Sequence, residues 1–397
     1  MNSWDRTRLV IHGEAIRGRN RNHSWRQSFF SRPNLYRDNG RPKSFIDDRA
    51  HLIAAFFLTL ACFCSTAPCR AQPLDLRTGE GVPRDVREIY DAGLRYLVQS
   101  QDRQGSWPGS YRGAGVDGMV VMCLLASGED PNFGTYATPI RKALRSILSQ
   151  QDKRTGFFGG SMYQHGFAML AIAEAYGAVD DRNLWVGEDG SKKLSLAESL
   201  ELAVRCAVTS QKKNTYGAWR YNPSGNDADT SVAGSVMIGL LAARNAGIEV
   251  PDDSIDRAVK YFVSMTSPSG QVAYAGGMGG FDESMARISI ATLVYAVARR
   301  KDLPQYQQTL KYLQSRLVSG GRAGLGSVEY QNYYQAQALF QGDEASWKKW
   351  NTALMRKLKA TQQTDGSFNG SYGETVSTAL SLLALALNYR FLPIYER

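Results

Sequence analysis

The sequence predicts an all-α protein, an (α/α)6 toroid of six helical hairpins arranged as an inner and an outer ring of helices. Three observations carry this. An amphipathic helix, a Gly/aromatic turn and a more apolar helix follow one another six times between Asp85 and the C-terminus, with a period of roughly 50 residues. First helices are charged on one side (RKALRSILSQQ, DRAVKYF, MRKLKATQQ), whereas second helices are nearly all small and apolar (VVMCLLAS, SVAGSVMIGLLAA, STALSLLALAL). A helix apolar all round must be covered on every side and a one-faced helix lies outside, so the second helices form the inner ring. One pair cannot cover its own apolar face, so neighbouring pairs must stack.

The elements follow in order. The first pair is predicted at Asp85–Gln101 and Val116–Ser127, with Ile89, Leu94, Leu97 and Val98 on one stripe. The second is Ala137–Gln151 and Tyr163–Tyr176 around the turn GFFGGS, and the third Leu194–Gln211 and Thr230–Asn245 around Trp219 and Tyr221. The fourth is Ser254–Thr266 and Glu283–Arg299, with a Gly-rich turn at Gly276–Gly280. The fifth is Gln305–Val318 and Tyr330–Gln341 around GGRAGLG, and the sixth Ala345–Gln363 and Glu374–Asn388 around DGSFNGSYG. Polar or Pro/Gly-bearing linkers at Glu129–Thr135, Val179–Gly190 and Gly247–Asp253 read as surface loops.

The toroid is expected over residues 85–397, after three shorter segments. Residues 1–50 hold 11 Lys/Arg and 5 acids with no periodicity, a basic disordered lead. Residues 51–71 contain an apolar run, Leu52 to Cys64, too short to span a bilayer comfortably and suited to the core of a secretory signal. This segment is either a signal cleaved before Gln72 or an uncleaved anchor that associates with the membrane, and the protein is expected to be exported. Residues 72–84 form a linker. Beyond residue 71, 35 Lys/Arg and 32 Asp/Glu remain, so the whole-chain charge of +10 does not argue for a nucleic-acid partner. Cys123 and Cys206 lie in apolar helices and read as two buried thiols.

Tyr96-Leu97, Gln101 and Gly105-x-Trp107 resemble the QW repeat of the terpenoid cyclases and protein prenyltransferases. Gln151/Gly156/Phe158, Gln211/Gly217/Trp219 and Gln362/Gly366/Phe368 are weaker copies, and the likeness spans about Asp85–Tyr389. It implies an α/α toroid with an apolar central cavity. The physical reading is parallel: the Gln amide ties down carbonyls at a helix end, the Gly permits the reversal, and the aromatic fills the gap to the next pair.

The family's chemistry does not carry over intact. Squalene-type cyclases protonate an alkene with the middle acid of Asp-x-Asp-Asp-Thr; here the stretch is NDADTS, Asn226–Ser231, and one carboxylate is missing in either alignment. Protein prenyltransferases hold zinc with Asp, Cys and His. Here His165 is the only histidine beyond the leader, and no His/Cys spacing suits a metal, so neither metal nor cofactor is expected. If the inner helices run the same way, their starts gather Asp117, His165, Asp229, Glu283, Tyr333 and Glu374 at one rim. Acids there are first of all helix caps, and they also suit a pocket mouth.

The candidate catalytic residues are Asp229, Asp227 and Glu283. The candidate ligand-binding residues are Asp117, His165, Trp107, Trp219, Tyr221, Glu374 and Arg287. The expected partner is a small apolar, isoprenoid-like ligand in a central cavity. The alternatives are a polysaccharide-active enzyme or a non-enzymatic binding module. A glycosidase would draw a carboxylate pair from Asp117, Asp229, Glu283 and Glu374, and its groove would be open and flanked by Trp107 and Trp219. A lyase would take Arg220, Arg287 or Arg112 as base. The sequence does not indicate an oligomeric state.

Overall fold

A computed structural model of the chain describes residues 81–185, 193–275, 280–281, 283–319 and 327–395. The basic lead, the apolar segment 51–71, most of the linker and the turn residues 276–279 and 320–326 lie outside the described residues. Everything below concerns the unit Ala71–Arg397.

Twelve α-helices form six hairpins among the described residues. They pair α1 (Arg84–Gln99) with α2 (Ala114–Leu125), α3 (Ala137–Ser149) with α4 (Met162–Ala175), and α5 (Leu196–Lys213) with α6 (Thr230–Asn245). Next come α7 (Asp252–Met265) with α8 (Met285–Val297), α9 (Pro304–Ser319) with α10 (Val328–Gly342), and α11 (Glu344–Thr361) with α12 (Glu374–Leu385). Helices α2, α4, α6, α8, α10 and α12 pack one on the next, and α12 closes on α2. Each outer helix lies on the inner helix of the preceding hairpin, α1 on α12 included. This is the α/α toroid expected from the sequence.

Burial follows the two helix characters. Every residue of α2 is buried, whereas α1 buries only the stripe that includes Val86, Ile89, Leu94 and Leu97. The inner ring packs backbone to backbone where its glycines fall: a Cβ on Gly166 in α4 would lie 2.6 Å from the Ser235 carbonyl carbon in α6. Cys123 and Cys206 are both buried free thiols.

The Gln of the repeat joins neighbouring hairpins. Gln101 Nε2 donates to Gly105 O (3.1 Å) in its own turn and to Pro139 O (3.0 Å) at the start of α3. Gln151 does the same to Gly156 O and Ser199 O, both at 2.9 Å, and Gln211 to Gly217 O and Ser254 O, both at 2.8 Å. Gln362 donates to Gly366 O and to Ile89 O, both at 2.9 Å, which ties the last hairpin to the first. The helices end earlier than their periodicity suggests, so that Gln101 and Gln151 lie just beyond α1 and α3, where their amides reach both carbonyls. Gly105, Gly156 and Gly366 have φ of 90°, 79° and 91°. Their would-be Cβ atoms meet carbonyl oxygens of the next outer helix at 2.3, 2.1 and 2.2 Å, so glycine is required twice over. In the fourth hairpin Thr266 replaces Gln and bonds to Phe262 O and Tyr295 Oη instead.

Candidate functional site

The six inner helices start at one rim, and their first turns surround a cavity of about 860 Å³. Local capping sets each start. Ser161, Ser284 and Ser327 cap α4, α8 and α10 with their hydroxyls, and Asp229 caps α6 through Ser231 N (2.7 Å) and Val232 N (3.1 Å). Helices α2 and α12 start from Gly113 and Gly373, which have positive φ and no side-chain cap.

The cavity is lined deeper in by Val116 and Met119 of α2, Phe167 of α4 and Val376 and Leu380 of α12. Tyr163 and Tyr330 lie in the first turns of α4 and α10, and Tyr111, Tyr221, Tyr274 and Tyr372 come from the turns. Main-chain bonds hold two of these turns in place: Tyr221 O accepts from Met162 N (2.8 Å), and Tyr274 O accepts from Thr230 N (3.0 Å). Behind the wall, Tyr163 packs on Tyr330 (ring centroids 5.9 Å apart) and Tyr330 on Tyr334 (4.9 Å). Burial pushes all three phenols well above their ordinary range.

Charge gathers on one side of the mouth. The Arg220 guanidinium lies 3.5 Å from Asp227 and 3.8 Å from Asp229, and stacks near Tyr221 (5.2 Å) and Tyr274 (5.6 Å). Arg287, buried in the wall, approaches Tyr274 from elsewhere (5.8 Å). Among the described lining residues there is no carboxylate.

Of the candidate residues, Tyr221 and Arg287 line the cavity, and the others do not. Asp229 is wholly buried at its edge: one oxygen caps α6 and the other accepts from Tyr221 Oη at 3.3 Å. Asp227 is exposed and paired with Arg220. Glu283 is exposed and pairs with Arg316 (2.8 Å), and Glu374 is exposed and accepts from Tyr96 Oη (3.2 Å). These rim acids cap helices and hold neighbours.

Asp117 faces away from the cavity toward α3. It is fully buried and accepts from Ser106 Oγ, Trp107 N, Ser146 Oγ and Gln150 Nε2. Burial raises its carboxyl above the ordinary range, against the pull of those bonds. His165 also faces outward. It lies between Phe157 and Phe158 with Nε2 3.1 Å from Ala203 O, and burial lowers its pKa to about 4, so it is neutral.

Trp107 and Trp219 flank no groove. Both are fully buried, and their indole N–H groups donate to Leu97 O (2.7 Å) and Ala207 O (2.9 Å). Tyr333 is buried against Phe167, behind the wall. The sequence reading overlooked Tyr163, Tyr330 and Tyr372 as cavity walls. Their signal was a phenol in or just before the first turn of an otherwise apolar helix.

Residues 86–394 match the family described as a domain of unknown function (DUF6288). The chain belongs to that family. No curated protein matches it. Among solved structures it is similar to a glycoside hydrolase family 76 α-1,6-mannanase from Salegentibacter sp. HEL1_6 (10% identity, 77% of this chain and 98% of that one, TM-score 0.55). It is similar also to the type II terpene cyclase MstE from Scytonema (14% identity, 78% and 99%, TM-score 0.54). A third is a family 76 mannosidase from Bacteroides thetaiotaomicron (10% identity, 77% and 98%, TM-score 0.55). At these identities the likeness is one of fold, and it spans proteins of two different chemistries.

Proposed function

We propose that the toroid binds an elongated apolar, isoprenoid-like molecule in the cavity at the inner-helix rim. One observation carries the reading: the cavity is walled by aliphatic side chains and tyrosine rings, and no carboxylate lines it among the described residues. Transfer of apolar surface from water into such a wall supplies about 25 cal/mol per Å², and concave, mostly apolar sites are the usual form of small-molecule pockets. The mannanase-like neighbours favour a glycan, but hydrolysis needs two carboxylates across the bond. Asp229, at the cavity's edge, is engaged as the cap of α6 through one oxygen and by Tyr221 through the other. MstE has been solved with geranylgeranyl dihydroxybenzoate as substrate, which supports the choice of an isoprenoid without transferring the reaction.

The test is titration of the full chain with a dansylated geranylgeraniol, read by fluorescence, against Leu380→Trp and Met119→Trp variants that fill the cavity. Saturable binding that weakens at least tenfold in both variants is the expected result (about 1.4 kcal/mol). Unchanged binding in both, with normal folding by circular dichroism, overturns the proposal. The basic lead and the apolar segment 51–71 support export. N-terminal sequencing of protein recovered from the cell envelope or medium tests this, and a chain still beginning at Met1 in the cytosol sinks it.

A further inference from the structure

A second pocket lies off the toroid axis, between the first hairpin's turn, the end of α3 and the turn before α4, with a volume of about 420 Å³. Gln164 lines both pockets and separates them. Its amide is locked across the gap: Oε1 accepts from Gly115 N (2.8 Å) and Nε2 donates to Arg112 O (2.9 Å). The second pocket is thus a fixed compartment; Ala114 and Phe158 give it an apolar side, and Ser106, Arg112, Ser146 and Gln150 make it more polar than the main cavity.

Asp117 decides what the pocket's floor presents. Its carboxylate accepts hydrogen bonds from the Ser106 hydroxyl (2.8 Å), the Ser146 hydroxyl (2.8 Å) and the Gln150 amide (3.0 Å). All three donors line the pocket. With their protons committed to Asp117, the two serine oxygens have only lone pairs left to offer. Gln150 Oε1 accepts from no group among the described residues. The floor is therefore an acceptor surface with a carboxylate behind it.

The opposite side offers donors. Arg112 lines the pocket and is exposed, and its guanidinium makes no hydrogen bond or ion pair among the described residues. Gly159 and Gly160 line it as well, with φ of 79° and 63°, and their N–H groups reach no acceptor among the described residues.

An anion would suit Arg112 but would meet the acceptor floor over Asp117. A cation would suit the floor but would meet Arg112. A group that both donates and accepts within one small volume satisfies both sides, and a hydroxyl is such a group. We infer that this pocket is a binding site for a polyhydroxylated ligand, a sugar ring or polyol, held between the Ser106/Ser146/Gln150 floor and Arg112. Neither the family assignment nor the apolar cavity supplies such a site, and it stands independently of the cavity's occupant.

Saturation-transfer NMR of the full chain with methyl α-D-mannopyranoside and with myo-inositol tests it, alongside inorganic phosphate and tetramethylammonium as anion and cation probes. Transfer to at least one polyol is expected. Arg112→Ala and Gln150→Leu should each weaken it about tenfold, while binding of dansylated geranylgeraniol stays as in the parent. Arg112→Lys, which keeps a donor, should recover part of the loss. Phosphate or tetramethylammonium displacing the polyol would overturn the assignment to hydroxyls. So would the absence of transfer from either polyol, or transfer that ignores both substitutions.

Discussion

Replacing Gln151 by Leu removes one of the links between neighbouring hairpins at nearly constant volume. Gln151 is 6% exposed. Its Nε2 donates to Gly156 O and Ser199 O at 2.9 Å, and its Oε1 accepts from Ser199 Oγ at 2.6 Å. Three bonds at about 1 kcal/mol each, plus a Gly156 carbonyl left without a donor, put the loss at about 3–5 kcal/mol. That is a large share of the roughly 5–15 kcal/mol that holds a typical domain folded. Gln362→Leu removes two bonds at a half-exposed site where water substitutes, so it should cost about 1–2 kcal/mol. Gln363→Leu removes one exposed bond to Thr361 O and should stay within about 0.5 kcal/mol. Urea unfolding followed by tryptophan fluorescence ranks the three by linear extrapolation. If Gln151→Leu unfolds like the parent, or no more easily than Gln363→Leu, the hairpins are held together by apolar packing alone and the reasoning fails.

His165 is neutral in the fold, with its pKa lowered from 6.5 to about 4 by burial. The unfolded chain takes up that proton first as pH falls, so stability present above about 6.5 drains away toward about 4, by about 3 kcal/mol. His165→Gln keeps an N–H for Ala203 O and should flatten this stretch of a stability–pH curve; an unchanged slope contradicts the assignment. Gly366→Ala should destabilise far more than Gly373→Ala in thermal melts. Both have positive φ, costing alanine about 1–2 kcal/mol, but only at Gly366 would the Cβ lie 2.2 Å from Ala92 O, whereas Gly373 has open space around it. Equal shifts would mean that backbone conformation alone matters. Asp229→Asn should keep the cap of α6 and stay within about 0.5 kcal/mol, while Asp229→Ala should lose about 1–2 kcal/mol in urea unfolding. Equal losses would assign the stabilisation to the charge beside Arg220 instead.

The fold could be read from the chain with some precision. Helix character separated the rings: AGVDGMVVMCLL leaves no face for water and is buried throughout as α2, while ATPIRKALRSILS keeps a charged side and lies outside as α3. The Gln–Gly–aromatic spacing also marked where four of the six hairpins turn, and the link from Gln362 to Ile89 shows that spacing also at work in closing the ring. The candidate site was legible only in part. Its rim was correct, since all six inner first turns meet one cavity, but the acids that made the rim conspicuous serve as caps and ion-pair partners. Polar residues at helix starts in a sequence do not reveal which way they turn. Asp117 and His165 occupy the same first turns as the cavity-lining Val116 and Gln164, yet face the outer helices.

By itself the sequence determined the repeat, the two kinds of helix and the need for neighbours to stack, because periodicity and apolar content are properties of short stretches of chain. Tertiary structure alone decided which side chains face the axis, since adjacent helical positions point in directions about 100° apart and only packing sets the rotation of each helix. It also decided that the central cavity is bounded by tyrosines and Arg287 without a lining carboxylate among the described residues, and that a buried Asp117 sets the polarity of a second pocket beside it.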